Sequence, residues 1–177
     1  MTTSLLKFLM PAVCVALAAS VLAVVPPNGA QDKLTAGAAR EEIVALYAKW
    51  GRARISFDEE AIERMLDPEF YVLLDGRRIS REEFVTMILR KSPDRQLTRF
   101  DVDVLTVQQA DDGWTAVISE KLEIAITAAD GSIQKAYSFW VTRDGFRRKA
   151  DRWVITSSEA IGYENWRGGQ SPPFRNW

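Results

Sequence analysis

The stretch WTAVISEKLEIAI, Trp114 to Ile126, decides the fold. Its apolar residues Trp114, Ala116, Ile118, Leu122, Ile124 and Ile126 recur at every second position, which places them on one face of a β-strand. Glu120 falls on that same face. The turn sequences DDG (111–113) and ADGS (129–132) bracket the stretch, so the strand sits between two hairpins.

Working outward, the neighbours are strands too. Phe100, Val102 and Val104 alternate with Asp101 and Asp103 upstream. Downstream, AYSFWVTRDG and RWVITSSEAIG follow the same logic, with the basic run FRRKADR read as a solvated loop between them. Everything from Thr98 onward is therefore expected to form a meander of four antiparallel strands. The chain before it holds three helices and one short strand. From near Ala38, Ile43, Leu46, Tyr47, Trp50 and Phe57 keep a 3–4 spacing and line one stripe, with Arg54 on the same stripe. Asp58 caps a short second helix, EEAIERML, with Ile62, Met65 and Leu66 inward and Pro68 as its stop. EFYVLLDGR is a short strand closed by an Asp75-Gly76 turn. SREEFVTMILRK is a third helix, opened by the Ser80/Glu83 capping-box pattern, with Phe84, Met87 and Ile88 as its apolar stripe. Helices segregated from a mostly antiparallel sheet give an α+β class, one curved sheet wrapped onto the helix layer.

Composition narrows function mainly by exclusion. The net charge is −1, with both signs interspersed, so there is no electrostatic footprint for nucleic acid. Histidine is absent and the one cysteine is Cys14. Ser-His-Asp and Cys-His nucleophile systems are therefore unavailable. A zinc or copper site would have to be built from carboxylates alone, so no metal is expected. No glycine-rich phosphate loop lies between a strand and a helix, and no cofactor is expected.

Lys7 followed by the apolar run FLMPAVCVALAASVLAVV (8–25) has the parts of a secretory signal peptide, cleaved after Ala23. The alternative is an uncleaved anchor, since the run just reaches bilayer-spanning length; only then does the chain touch a membrane. Either way the folded part is expected outside the cytoplasm, periplasmic or secreted. The expected organisation is a signal peptide or anchor at 1–23, a linker at 24–37, the domain at 38–161 and an aromatic tail at 162–177. Burial of the tail's aromatics is expected against the domain or a second subunit.

Several strings together resemble the SnoaL-like branch of the nuclear transport factor 2-like (ketosteroid isomerase) superfamily. They are EIVALYAKW, LDPEFYVLLDGRRISREEFVTMI, DDGWTAVISEKLEIAITAADG and SFWVTRDGFRRKADRWVITSS, spanning residues 38–161. The resemblance implies a cone-shaped curved antiparallel sheet packed on three N-terminal helices, an interior pocket, and a homodimer formed through the sheet. It implies no reaction, because fold and function separate in this superfamily. The steroid-isomerase positions fall on Leu73 for the base, Phe139 or Trp140 for the oxyanion acid, and Gly51 for the tyrosine, with Tyr47 one turn away; none matches. Dehydratase relatives depend on histidines. The acid–Arg–acid set of epoxide-hydrolase relatives is matched only in part, by Lys121 and Glu123, with the third place near Ser158.

Glu120 is the chemically informative residue. If Asp130-Gly131 is a two-residue turn, Ala129 pairs with Ser132, Glu120 faces Val141, and Arg143 is its diagonal neighbour. The last strand then adds Glu159 beside Trp153 and Ile155. The expected candidate pocket is Tyr47, Trp50, Arg54, Glu120, Tyr137, Phe139, Arg143 and Glu159. Glu120 and Arg143 satisfy each other there as a partly buried pair, or they bind and activate a polar group of a ligand. A β-bulge near Ser119 would instead turn Glu120 outward and bring Lys121 and Glu123 in. The functional expectation is a pocket for a small, largely apolar molecule. Its alternatives are an acid–base isomerase or water-adding hydrolase or dehydratase, and a dimeric interaction module.

Overall fold

The computed structural model describes residues 34–167. The expected signal segment, most of the linker and residues 168–177 of the tail lie outside the described residues. Helix α1 (Ala36–Ser56) begins before Ala38 because Thr35 caps it, its hydroxyl accepting from the Ala38 N–H at 3.2 Å. Ala39, Ile43, Leu46, Tyr47, Trp50 and Ala53 are buried along it. Phe57 leaves the stripe, because the chain turns left-handed there (φ 55) to close the helix.

Helix α2 (Glu59–Met65) starts at Asp58, whose carboxylate accepts from the Ala61 N–H at 3.0 Å. It ends at Met65, ahead of Pro68. Leu66 is buried as the first residue of strand β1 (Leu66–Leu74), which contains Pro68. Across the Asp75-Gly76 turn lies strand β2 (Arg77–Ser80), a strand the sequence reading did not assign. Helix α3 (Arg81–Ile88) has both bonds of its capping box, Glu83 N–H to Ser80 Oγ at 3.2 Å and Ser80 N–H to Glu83 Oε2 at 3.0 Å. Its buried residue is Val85, while Met87 is 50% exposed, so the predicted stripe is rotated.

Strands β3 (Arg95–Ala110), β4 (Gly113–Thr127), β5 (Ile133–Lys149) and β6 (Arg152–Arg167) form the expected meander. The sheet order is β2-β1-β6-β5-β4-β3. β1 joins β6 in parallel, so the sheet is mixed where an antiparallel one was expected. The run FRRKADR is mostly paired strand, with Phe146 opposite Ile155 and Lys149 opposite Arg152. β6 likewise claims residues 162–167 from the expected tail. Register shifts within β3 and along β5–β6 bend the sheet. Its inner face, with Ala116, Ile118, Phe146, Trp153 and Ile155, closes over Ile43, Leu46, Trp50, Ile62 and Phe70. Burial of this apolar set drives the closure.

The β4–β5 loop fixes the register that matters for the site. Ala128 N–H donates to Ser132 O, Gly131 N–H donates to Ala128 O, and Thr127 pairs with Ile133. This is a three-residue loop with Gly131 at φ +81, a conformation glycine adopts without strain. Against the expected two-residue turn, every partner moves by one. Glu120 faces Trp140, not Val141.

Candidate functional site

Every second residue along β4 and β5 shares a face, so the inner face carries Ile118 with Thr142, Glu120 with Trp140, and Ala116 with Asp144. β4 pairs with β5 continuously, so no bulge at Ser119 turns Glu120 outward; the irregularities lie in β3, between Leu97 and Arg99 and between Val104 and Thr106. In β6 the register shifts between Phe146–Ile155 and Gly145–Ser157, leaving Thr156 as an extra residue. That bulge inverts the alternation and puts Ser158, not Ser157 or Glu159, on the inner face.

These side chains surround a cavity of about 260 Å³ between the sheet and the helices. Its apolar wall includes Trp50, Leu66, Phe70, Val72, Phe84, Leu122, Trp140 and Ile155, with half-exposed Met87 at the rim. Trp50 stacks on Phe84 with centroids 6.2 Å apart, which fixes the helix side of the wall. Its polar members are Tyr47, Arg54, Glu120, Thr142, Asp144 and Ser158.

The polar cluster is only partly satisfied. The Tyr47 hydroxyl donates to Asp144 Oδ2. Asp144 Oδ1, Thr142 Oγ1 and Arg54 Nε are buried without a hydrogen-bond partner. The Glu120 carboxyl makes no hydrogen bond or ion pair among the described residues, and the surface it retains faces the cavity. Burial raises Glu120 to about 7; the nearby Arg54 guanidinium opposes the rise and the Asp144 charge adds to it. Burial also raises Asp144 to about 6, against the Tyr47, Ser158 and Thr142 hydroxyls, which stabilise its charge. The Tyr47 phenol is pushed well above its usual value by burial and by both carboxylates, so it stays a donor. Burial lowers Arg54, with the Glu120 charge working the other way.

Chemically, the cavity offers a carboxyl that exchanges a proton near neutrality and one uncommitted donor, Arg54 Nε, while the Thr142 hydroxyl stands beside Asp144. A substrate oxygen held by that donor and a proton taken by Glu120 are the elements of general acid–base catalysis.

Of the residues expected in the pocket, Tyr47, Trp50, Arg54 and Glu120 line the cavity. The other four lie on the opposite face of the sheet. Tyr137 and Phe139 pair with Glu123 and Lys121 there, and Lys121 Nζ sits 5.5 and 5.8 Å from their ring centroids. Arg143 pairs with Glu159, 2.8 Å away, so these two meet each other but neither meets Glu120. The one-residue register change accounts for Tyr137, Phe139 and Arg143, and the Thr156 bulge for Glu159. Glu123 is likewise outside, bound to Lys135 at 2.8 Å, whereas Ser158 lines the cavity.

Asp144 and Thr142 were missed, and Trp140 and Ser158 were named only as family positions without matching chemistry, not as pocket residues. Asp144 was hidden in VTRDGF, because Asp-Gly reads as a turn, yet here it lies inside β5. Its in-phase spacing from Trp140 and Thr142 was the available signal.

A curved mixed sheet over three helices, with its cavity between the layers, recurs among solved structures. Aln2 from a Streptomyces species superposes with a TM-score of 0.53 at 20% identity, covering 72% of this chain and 93% of its own. The fold is that of the nuclear transport factor 2-like superfamily. A hexachlorocyclohexane dehydrochlorinase (LinA) type 2 shares the nuclear transport factor 2-like fold with a TM-score of 0.51 at 12% identity, over 77% of this chain and 94% of its own. So does the association domain of C. elegans CaMKII, with a TM-score of 0.50 at 16% identity, over 71% and 96%. No family model and no curated protein matches the sequence.

Proposed function

We propose that the cavity binds a small, largely apolar molecule and carries out acid–base chemistry on it, with Glu120 as the proton-transferring group. One observation carries this reading: Glu120 stands against the cavity without a hydrogen bond or ion pair among the described residues, its carboxyl raised to about 7, with the Arg54 guanidinium nearby and its Nε unbonded. A structural carboxylate on an apolar face is expected to be paired, because an unpaired one is costly to bury. A catalytic one is held ready for a ligand. Asp144 holds the Tyr47 hydroxyl and keeps the second carboxylate fixed beside the first. The dehydrochlorinase with this fold supports chemistry in such a cavity at the level of the fold alone.

The reading includes export, which rests on Lys7 and the apolar run after it. The proton-transfer step is tested by exchange in D2O. The wild-type protein should incorporate deuterium α to the carbonyl of small cyclic enones, and Glu120→Gln should lose at least about 100-fold of that rate, the lower end of general acid–base contributions. Exchange no faster than buffer, or unchanged in Glu120→Gln, rejects the acid–base reading.

A further inference from the structure

A second space adjoins the cavity at Met87. Arg54, Met87, Ile88 and Leu122 line both the cavity and an open groove of about 480 Å³ outside it, so the two lie side by side across these residues. The character of the walls changes from one to the other. Inside, the charged groups other than Arg54 are carboxyls, Glu120 and Asp144. In the groove they are Arg54, Arg90, Lys91 and Arg95, with one acid, Asp94, lying 3.8 Å from Arg95. Arg54, Arg90 and Lys91 have no ion-pair partner among the described residues, and Arg54 Nε is buried without a hydrogen bond. Lys91 is held over the groove's edge by the Phe57 ring, its Nζ 5.4 Å from the centroid.

Building on the cavity reading above, we propose that the ligand is amphipathic, with an uncharged apolar body in the cavity and one anionic head of carboxylate type in the groove between Arg54, Arg90 and Lys91. The two adjoining spaces select its orientation. An anionic head turned inward would meet Glu120 and Asp144, whereas in the groove it meets unpaired cations. Guanidinium groups match the planar geometry of a carboxylate, and Arg54 lines both cavity and groove. A cationic head would be repelled by the groove, and a neutral one would leave it unused. The cavity lies just below the ~300–1,000 Å³ usual for ligand sites, so the body is of the size of one or two rings.

A matched pair of probes tests this, 2-naphthoate and 2-naphthalenemethanol, titrated into the full chain at pH 8. Quenching of Trp50 and Trp140 in the cavity wall reports binding. The acid should bind at least about tenfold more tightly than the alcohol at low ionic strength, and added salt should shrink the ratio, as screening of an exposed head requires. In Arg90→Ala/Lys91→Ala the ratio should fall towards one. Equal binding of the two probes, or a ratio that survives the double substitution, overturns the anionic head and leaves the apolar cavity standing. Failure of both probes to bind overturns the cavity reading, and the anionic head with it.

Discussion

Asp67 and Glu120 are both carboxylates set into this protein, and they are held differently. Asp67 is 4% exposed; burial alone would raise it, but Lys149 at 2.8 Å and the Glu69 N–H bring it below the usual carboxylate range. Glu120 has no such partner and is raised to about 7. The same chain thus pairs a carboxylate where it needs only structure and leaves another unpaired where it faces a cavity. Carbon-13 NMR of the side-chain carboxyls checks the contrast. One Glu resonance should titrate near pH 7 and vanish in Glu120→Gln, while Asp67 should titrate below its usual value. A spectrum in which every Glu titrates within about one unit of the ordinary 4.3 contradicts it. Glu120 itself was legible in the sequence, because a charge that interrupts strict alternation stands out. Asp144 was not, because a residue followed by glycine carries a stronger local signal for a turn than for a strand.

At the scale of elements, the bulges and loops decide which side chains meet. The alternation along β4 and the capping signals at Asp58 and Ser80 are local physics, and they located their elements. Whether a hairpin loop has two residues or three is also local, but Asp-Gly satisfies both, and the choice shifts a whole strand against its neighbour. The Thr156 bulge is set by how β5 and β6 pack, which no single strand encodes. Strand β1 lies beside β6 in parallel, a contact between segments far apart in the chain and equally invisible to periodicity. Gly113 illustrates how tightly this arrangement is built. It has φ +153, and an added Cβ would stand 2.2 Å from the Phe146 backbone oxygen in β5. Gly113→Ala should therefore cost about 1–3 kcal/mol in urea denaturation, the scale of overpacking in a closed structure. A cost below about 0.5 kcal/mol would show that β4 and β5 do not approach so closely there.

For the molecule as a whole, the cavity leaves a signature in stability. The raised carboxyls Glu120 and Asp144 bind more protons folded than unfolded, so their contribution is full below their unfolded values and is lost as pH rises through about 6 and about 7. The exposed or paired carboxylates Asp67, Glu83, Asp94, Glu123 and Asp130 are lowered, and their contribution is lost only in acid, below the usual carboxylate range. Tyr47 acts above pH 10, and the chain has no histidine. The window from pH 5 to 8 therefore isolates the two cavity carboxyls. The measurement that tests the account most directly is unfolding free energy against pH across that window, for the wild type and Glu120→Gln. Wild-type stability should fall from pH 5 to 8, and the variant should gain on the order of 3 kcal/mol at pH 8 and little at pH 5. A wild-type profile that is flat or rising, or a Glu120→Gln protein less stable than wild type at pH 8, would contradict an unpaired, proton-exchanging Glu120 and make it an ordinary structural charge.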